Sequence, residues 1–171
     1  MSISATKLNT DEIILGIDPG VADTGFGVIK KNGNKLTFIE AGSIQTAKTE
    51  DLPTRLEIIY QTMQELLFKH KPDLVAVEKL YFARNVTTAL DVGQARGVVI
   101  LAIKKHKIDI LEFTPLQIKQ AVTGSGNADK RQVGLMVKAI LHIAEVPKPD
   151  DAADAVAAAI CGAFFNKKLV K

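Results

Sequence analysis

The run Ile13-Ile14-Leu15-Gly16-Ile17-Asp18 constrains the fold more than any other part of this 171-residue chain. Its apolar residues do not alternate with polar ones. It therefore reads as a strand covered on both faces, central in a sheet with helices above and below. The run then ends on a carboxylate. A lone ionised carboxylate inside a core costs several kcal/mol, comparable to the net stability of a whole domain. Asp18 must lie at the wet end of its strand, in a turn, or beside positive charge.

The rest of the chain supplies the elements such a strand needs. "GFGVIKK" and "KLTFIEAGSI" flank Asn32-Gly33, the strongest short hairpin signal. Pro53 opens a helix whose Leu56, Ile59, Met63, Leu66 and Leu67 follow helical spacing, and Lys71-Pro72 stops it. "LVAVE" (74–78) is a second short apolar strand that ends in an acid. Asn85 can cap a long helix running to about Lys105, and "IDILEF" (108–113) is a third buried strand. Thr114-Pro115 starts another helix. "GSGNAD" breaks the chain before a helix near 129–143, and Pro147 and Pro149 precede a final helix from Asp151. This order predicts an α/β fold with a mixed five-stranded sheet, its first three strands antiparallel and the rest parallel, and helices on both faces. Functional groups collect at the carboxyl ends of parallel strands in such sheets. Asp18 and Glu78 both sit at ends of that kind.

One domain is expected over 13–166, with a polar lead-in at 1–12 and a short basic tail at 167–171. No apolar run is long enough to span a membrane, and the first residues contain no signal-peptide core. Cys161 is the single cysteine, so no internal disulfide can form; in "AVAAAICGAFF" it reads as a buried small hydrophobe, and a reducing cytoplasm fits best. The net charge is +3, but with four carboxylates neutralised by metal, 22 basic residues would face 15 acidic ones, leaving +7. That surface suits a polyanion, with local density at 104–107, 129–132 and 166–171. Taken singly, each of these clusters reads as a solvated helix end.

Asp151 and Asp154 in "PDDAADAV" are three apart and share a helix face, with alanine and valine opposite to pack on the sheet. If that helix lies beside the strand ends, Asp18, Glu78, Asp151 and Asp154 converge. Such a set requires cations, and oxygen-only ligands select hard ions such as Mg²⁺ or Mn²⁺. Two such ions about 4 Å apart suit in-line attack on a phosphodiester. Plainer readings exist for each residue. Asp18 in "DPG" is also a good turn former, Asp150 or Asp151 could cap the last helix, and Asp154 is favoured near its positive end. The combination is harder to explain by packing than any member alone. His70, His106 and His142 have no metal-ligand spacing. Lys119 interrupts an amphipathic helix and reads as solvated surface, and "TGSGNADKR" is either a plain loop or a place where backbone amides and Lys130 meet a phosphate. Tyr81 and Phe82 follow Glu78 closely; adjacent aromatics are normally core, but at the mouth of a cationic groove a ring can stack on an unpaired base.

Together, "ILGIDPG", "TGFGVI", "LPTRL", "VAVEKLYFARN", "ALDVGQARGV", "QIKQAVTGSGNADK" and "DDAADAVAAAI" resemble the RuvC family of Holliday-junction resolvases, within the ribonuclease H-like superfamily. The likeness spans roughly 14–165 in the family's order. It implies a ribonuclease H-like fold and metal-dependent endodeoxyribonuclease action on four-way junctions in recombination and repair. Asp18, Glu78, Asp151 and Asp154 match the catalytic metal ligands, with Mg²⁺, replaceable by Mn²⁺, at two per subunit. DNA contacts are implied for Tyr81, Phe82, Arg84, Lys119 and Lys130, with Tyr81 standing where the family usually has Phe. A homodimer is also implied, working alongside the RuvA–RuvB branch-migration complex. Gly93 and Gly97, four apart in the long helix, could let a second helix approach, though an internal contact would serve equally. The competing functions are a ribonuclease H acting on RNA–DNA hybrid, a catalytically inactive junction-binding module, and an actin-like or sugar-kinase-like ATPase. The ATPase folds duplicate their unit, and this chain has one copy.

Overall fold

The computed structural model describes the backbone of residues 11–79 and 86–165. The predicted element order holds throughout. Strands β1 (Glu12–Asp18), β2 (Asp23–Asn32) and β3 (Lys35–Gln45) are followed by helix α1 (Leu52–His70), β4 (Leu74–Glu78), α2 (Val86–Lys105) and β5 (Asp109–Phe113). Helices α3 (Pro115–Thr123), α4 (Lys130–Leu141) and α5 (Asp150–Phe164) complete the order. The sheet order is β3-β2-β1-β4-β5, antiparallel across the first three strands and parallel across β1, β4 and β5. The central position expected for the opening run is correct: β1 pairs with β2 on one side and β4 on the other.

Local chemistry sets the helix boundaries. Asp51 caps α1 by accepting from Thr54 N at 2.9 Å, and Lys71 ends it in the left-handed conformation at φ 46°. Thr114 and Gln117 form a reciprocal capping box at α3, and Asp129 and Gln132 repeat it at α4. Helix α5 has no such cap. Its N-cap is Pro149, with no side-chain cap hydrogen bond, so Asp150 and Asp151 are free of the capping role that is the simpler reading for them.

Two apolar layers sandwich the sheet. Leu15, Ile17, Val75 and Val77 pack with Ile59, Met63, Leu67, Val99 and Ile103 of α1 and α2. Ile14, Leu74 and Ala76 face α5, with α3 and α4 outside it. Because strand side chains alternate, Asp18 continues the Ile14–Gly16 side and Glu78 the Leu74–Ala76 side. Both acids therefore point to the α5 face. The register places Ile17 opposite Val77, so the two acids are the next residues along adjacent parallel strands.

The α5 packing differs in one respect from the sequence expectation. Asp151 does not oppose the face that packs on the sheet; it opens that face. A Cβ on Gly25 would land on the Asp151 carbonyl, and one on Gly16 would land on the Ala155 carbonyl and 2.6 Å from Ala159 N. Only glycine lets the helix backbone approach the strands this closely, and α5 buries alanine where a larger side chain would hold it off. Gly25 is also the cross-strand partner of Asp18. The same close approach that packs α5 carries its acidic first turn to the end of β1.

Candidate metal centre and nucleic-acid cleft

Asp18, Asp151 and Asp154 each offer a carboxylate oxygen, and these oxygens all lie within 4.8 Å of one another. All three are half-buried. Asp18 makes no side-chain hydrogen bond among the described residues. The turn after it is held instead by Thr24, whose hydroxyl donates to Gly20 O at 2.5 Å. The turn-former reading of Asp18 is therefore unnecessary: its carboxylate belongs to the cluster. Glu78 stands beside this trio rather than within it, but its charge acts on Asp18, and Asp154 acts on Glu78.

The acids of this site act on one another. Burial, then the charges of Glu78, Asp154 and Asp151, push the Asp18 carboxyl up to about 8, with Lys130 opposing. Burial and Asp154 raise Glu78 to about 7, against the pull of Lys130 and Lys119. Asp151 is also raised, by burial, then by Asp23 and Asp154. Carboxylates displaced upward by burial and then by mutual repulsion are the state a divalent cation relieves. The all-oxygen donor set fits a hard ion. Lys130 supplies part of that charge in the protein itself: its Nζ lies 3.2 Å from Asp154 Oδ2 while the side chain stays largely exposed.

A cleft of about 230 Å³ opens from the cluster, lined by Glu78, Lys119, Lys130 and Asp154. The four predicted carboxylates and the two predicted lysines are thus neighbours, although they come from β1, β4, α3, α4 and α5. Tyr81, Phe82 and Arg84, predicted to touch DNA, and Asn85, residue 166 and the tail at 167–171 lie outside the described residues. The 104–107 cluster is exposed at the far end of α2. The crossover from β4 to β5 puts that end at the opposite edge of the sheet from the acids, so solvation accounts for it. Cys161 is buried as expected, its thiol pushed up to about 11 by burial. Sequence reasoning missed Asp23 and Arg55, which border the cluster on its other side. The signal available was only the block "LPTRL", which carries no chemistry until the tertiary structure places it.

The sequence profile of the family described as "Crossover junction endodeoxyribonuclease RuvC" matches residues 14–162. The chain belongs to the RuvC family. Among its relatives, the crossover junction endodeoxyribonuclease RuvC of Brevibacillus brevis is 53% identical over 90% of this chain and 92% of its own length. That of Rubrobacter xylanophilus is 48% identical over 92% and 88%. Among solved structures, Thermus thermophilus RuvC in complex with Holliday junction substrate matches with a TM-score of 0.85 at 36% identity, over 90% of this chain and 93% of that one. The likeness to a solved structure of this family bears out the predicted ribonuclease H-like architecture.

Proposed function

We propose that this protein is a metal-dependent endonuclease that resolves four-way DNA junctions by hydrolysing phosphodiesters in opposed strands. The observation that carries this reading is the convergence of three carboxylate oxygens at the end of β1, beside a cleft bearing Lys119 and Lys130. Asp18, Asp151 and Asp154 would hold the ion and Glu78 would complete the set; Mg²⁺, with Mn²⁺ as a substitute, at two per subunit, suits four oxygen ligands. Bound there, the metal supplies Lewis-acid charge for the attacking and leaving oxygens of an in-line displacement. The chain's own groups do the rest. Lys119 and Lys130 hold the phosphate backbone against the acidic cluster, and Lys130 can exchange Asp154 for a phosphate oxygen because its ion pair is exposed and weak. The glycine-floored contact of α5 with β1 and β2 fixes the ligand spacing.

The decisive experiment incubates the protein with a four-way junction, and separately with an RNA–DNA hybrid, in Mg²⁺ and in EDTA. Mg²⁺-dependent, symmetrically paired cuts in the junction and an intact hybrid are expected. Preferential cutting of the hybrid would make the protein a ribonuclease H.

Lys119→Ala and Lys130→Ala should each weaken junction binding. Each should also reduce the slope of log K against log salt by roughly 0.9 for every phosphate the lysine neutralises. Titrations at several salt concentrations read this directly. Slopes identical to wild type would remove both lysines from the interface.

The reading includes a homodimer, and α2 offers it a surface. Leu90 and Leu101 are 62% and 56% exposed, and with Gln94 and Gly97 they form one stripe at spacings of four, three and four. A Cβ on Gly97 would meet nothing within 4 Å, so no contact among the described residues accounts for that glycine. Leu101→Glu should convert the dimer to monomer in sedimentation and abolish paired cutting, while single nicks persist. A dimer of unchanged affinity would place the interface elsewhere. Cooperation with the RuvA–RuvB complex and a cytoplasmic location complete the proposal. They are supported by family membership and by the absence, among the described residues, of a helix long and apolar enough to cross a membrane.

A further inference from the structure

Asp154 has two partners for the same carboxylate. It offers an oxygen to the trio with Asp18 and Asp151, and its Oδ2 also accepts from Lys130 Nζ at 3.2 Å. Lys130 is placed so that its ammonium can leave while its backbone stays fixed. It is the first residue of α4, and the reciprocal contacts of Asp129 and Gln132 pin that turn whatever the lysine side chain does. The lysine side chain is 70% exposed, against 27% for Asp154. Together the two residues line the 230 Å³ cleft that holds Glu78 and Lys119. They also line a second cleft of about 240 Å³, beside Arg131, Val146 and Asp150. Their ion pair is thus the wall between two clefts, and the lysine borders both.

Charge makes the two uses of Asp154 compete. Lys130 already acts on Asp18, Glu78 and Asp151 with a positive charge, as a bound cation would from the same place. A carboxylate oxygen that accepts from an ammonium has less lone-pair capacity for a metal, and a divalent ion beside Asp154 repels the ammonium. A phosphate oxygen is the partner that takes the ammonium in exchange. We propose that Lys130 holds Asp154 in the DNA-free protein and releases it to the metal when a phosphate arrives, so that junction and metal are taken up together. The inference rests on the nuclease reading above. Linkage makes the coupling reciprocal: the factor by which the junction tightens metal binding is the factor by which metal tightens junction binding. Lysine suits the exchange because its ammonium is a compact point charge with rotatable donors, whereas an arginine fork grips a carboxylate through two parallel bonds. The exposure of the pair sets the size of the effect, since such contacts change an equilibrium constant by up to about five-fold.

The test reads metal and DNA binding apart from cleavage. Bound Mn²⁺ is counted by electron paramagnetic resonance in DNA-free wild type, Lys130→Met and Lys130→Arg, each verified as folded by its melting curve. Lys130→Met should bind Mn²⁺ about three- to five-fold tighter than wild type, and Lys130→Arg about two-fold weaker. Charge alone would leave the arginine variant equal to wild type, and a merely structural lysine would leave all three equal. Junction affinity is then measured in EDTA as a double-mutant cycle of Asp154→Asn with Lys130→Met. Asp154→Asn frees the lysine only where the lysine is present. It should therefore tighten binding about three- to five-fold more in the wild-type background than in Lys130→Met. Mn²⁺ affinities that do not fall in the order Met, Lys, Arg, or an additive cycle, overturn the proposal. A wild type that binds no Mn²⁺, or that binds a four-way junction no better than a linear duplex, overturns the nuclease reading instead. Those two results are told apart from the first pair because they are read on wild type alone.

Discussion

Asp18→Asn is expected to reduce junction cleavage by about 10³-fold or more, roughly 4 kcal/mol of transition-state stabilisation, while binding holds or tightens. Asp18 lies closest to the centre of the acid set: it is one of three oxygen donors within 4.8 Å and feels the charges of Glu78, Asp154 and Asp151 together. Replacing it removes a metal ligand and some of the repulsion between protein and phosphate at once. The same substitution should stabilise the metal-free protein at alkaline pH. Asp18 titrates near 8 in the folded chain against an ordinary value of 3.8, so between those values the folded state holds the extra proton. Stability linked to this group is therefore greatest at low pH and declines as pH rises from about 4 to about 8, by an amount of several kcal/mol. The asparagine side chain of the variant does not titrate, and a saturating divalent cation should suppress the decline as well. Melting curves of wild type and variant in EDTA across that range test the claim, with cleavage assays alongside. Parallel pH profiles for the two proteins, or near-normal Mg²⁺-dependent cleavage by the variant, would falsify the assignment of Asp18 to the centre of the site.

The second large effect is expected at Gly16. Gly16→Ala places a methyl group on the Ala155 carbonyl and against Ala159, both backbone or near-backbone parts of α5 that cannot rotate away. Overpacking of this kind costs about 1–3 kcal/mol, and at the upper end of that range the melting temperature of a chain this size falls by roughly 6–12 °C. Function should fall further than stability. To make room, α5 must lift from β1, and Asp151 and Asp154 move with it away from Asp18. Metal affinity measured by calorimetry at a temperature where the variant is fully folded separates the two consequences. Gly97→Ala is the useful contrast, since a Cβ there meets open space among the described residues. It should leave the fold and metal affinity unchanged and alter only dimerisation. Wild-type metal affinity in folded Gly16→Ala would show that the glycine floor does not set the ligand geometry.

Much of this arrangement is legible in the residues themselves. A strand without alternation, an Asn-Gly turn, proline and capping signals and a helical stripe in α1 are local properties, and local steric and solvation rules dictate them. They yield the element order and the mixed sheet, and they place Asp18 and Glu78 at strand ends because a carboxylate cannot finish anywhere drier. The i, i+3 spacing of Asp151 and Asp154 likewise follows from helix geometry. Tertiary structure alone decided how those pieces meet. Whether Asp151 capped its helix or faced Asp18 depended on the depth to which α5 sinks onto the sheet, and that depth is set by glycines on two strands meeting α5 over a hundred residues away. Glu78 proved a neighbour of the oxygen trio rather than a member, a distinction of position that spacing along the chain cannot carry. Asp23 and Arg55 belong to the same class. Each is an ordinary polar residue in its own segment, and only the folding of the β1–β2 loop against Thr46 and α1 brings them to one cleft beside the acids. Periodicity encodes which face a residue takes, but the distance between faces comes from packing, and the chemistry of this site depends on distance.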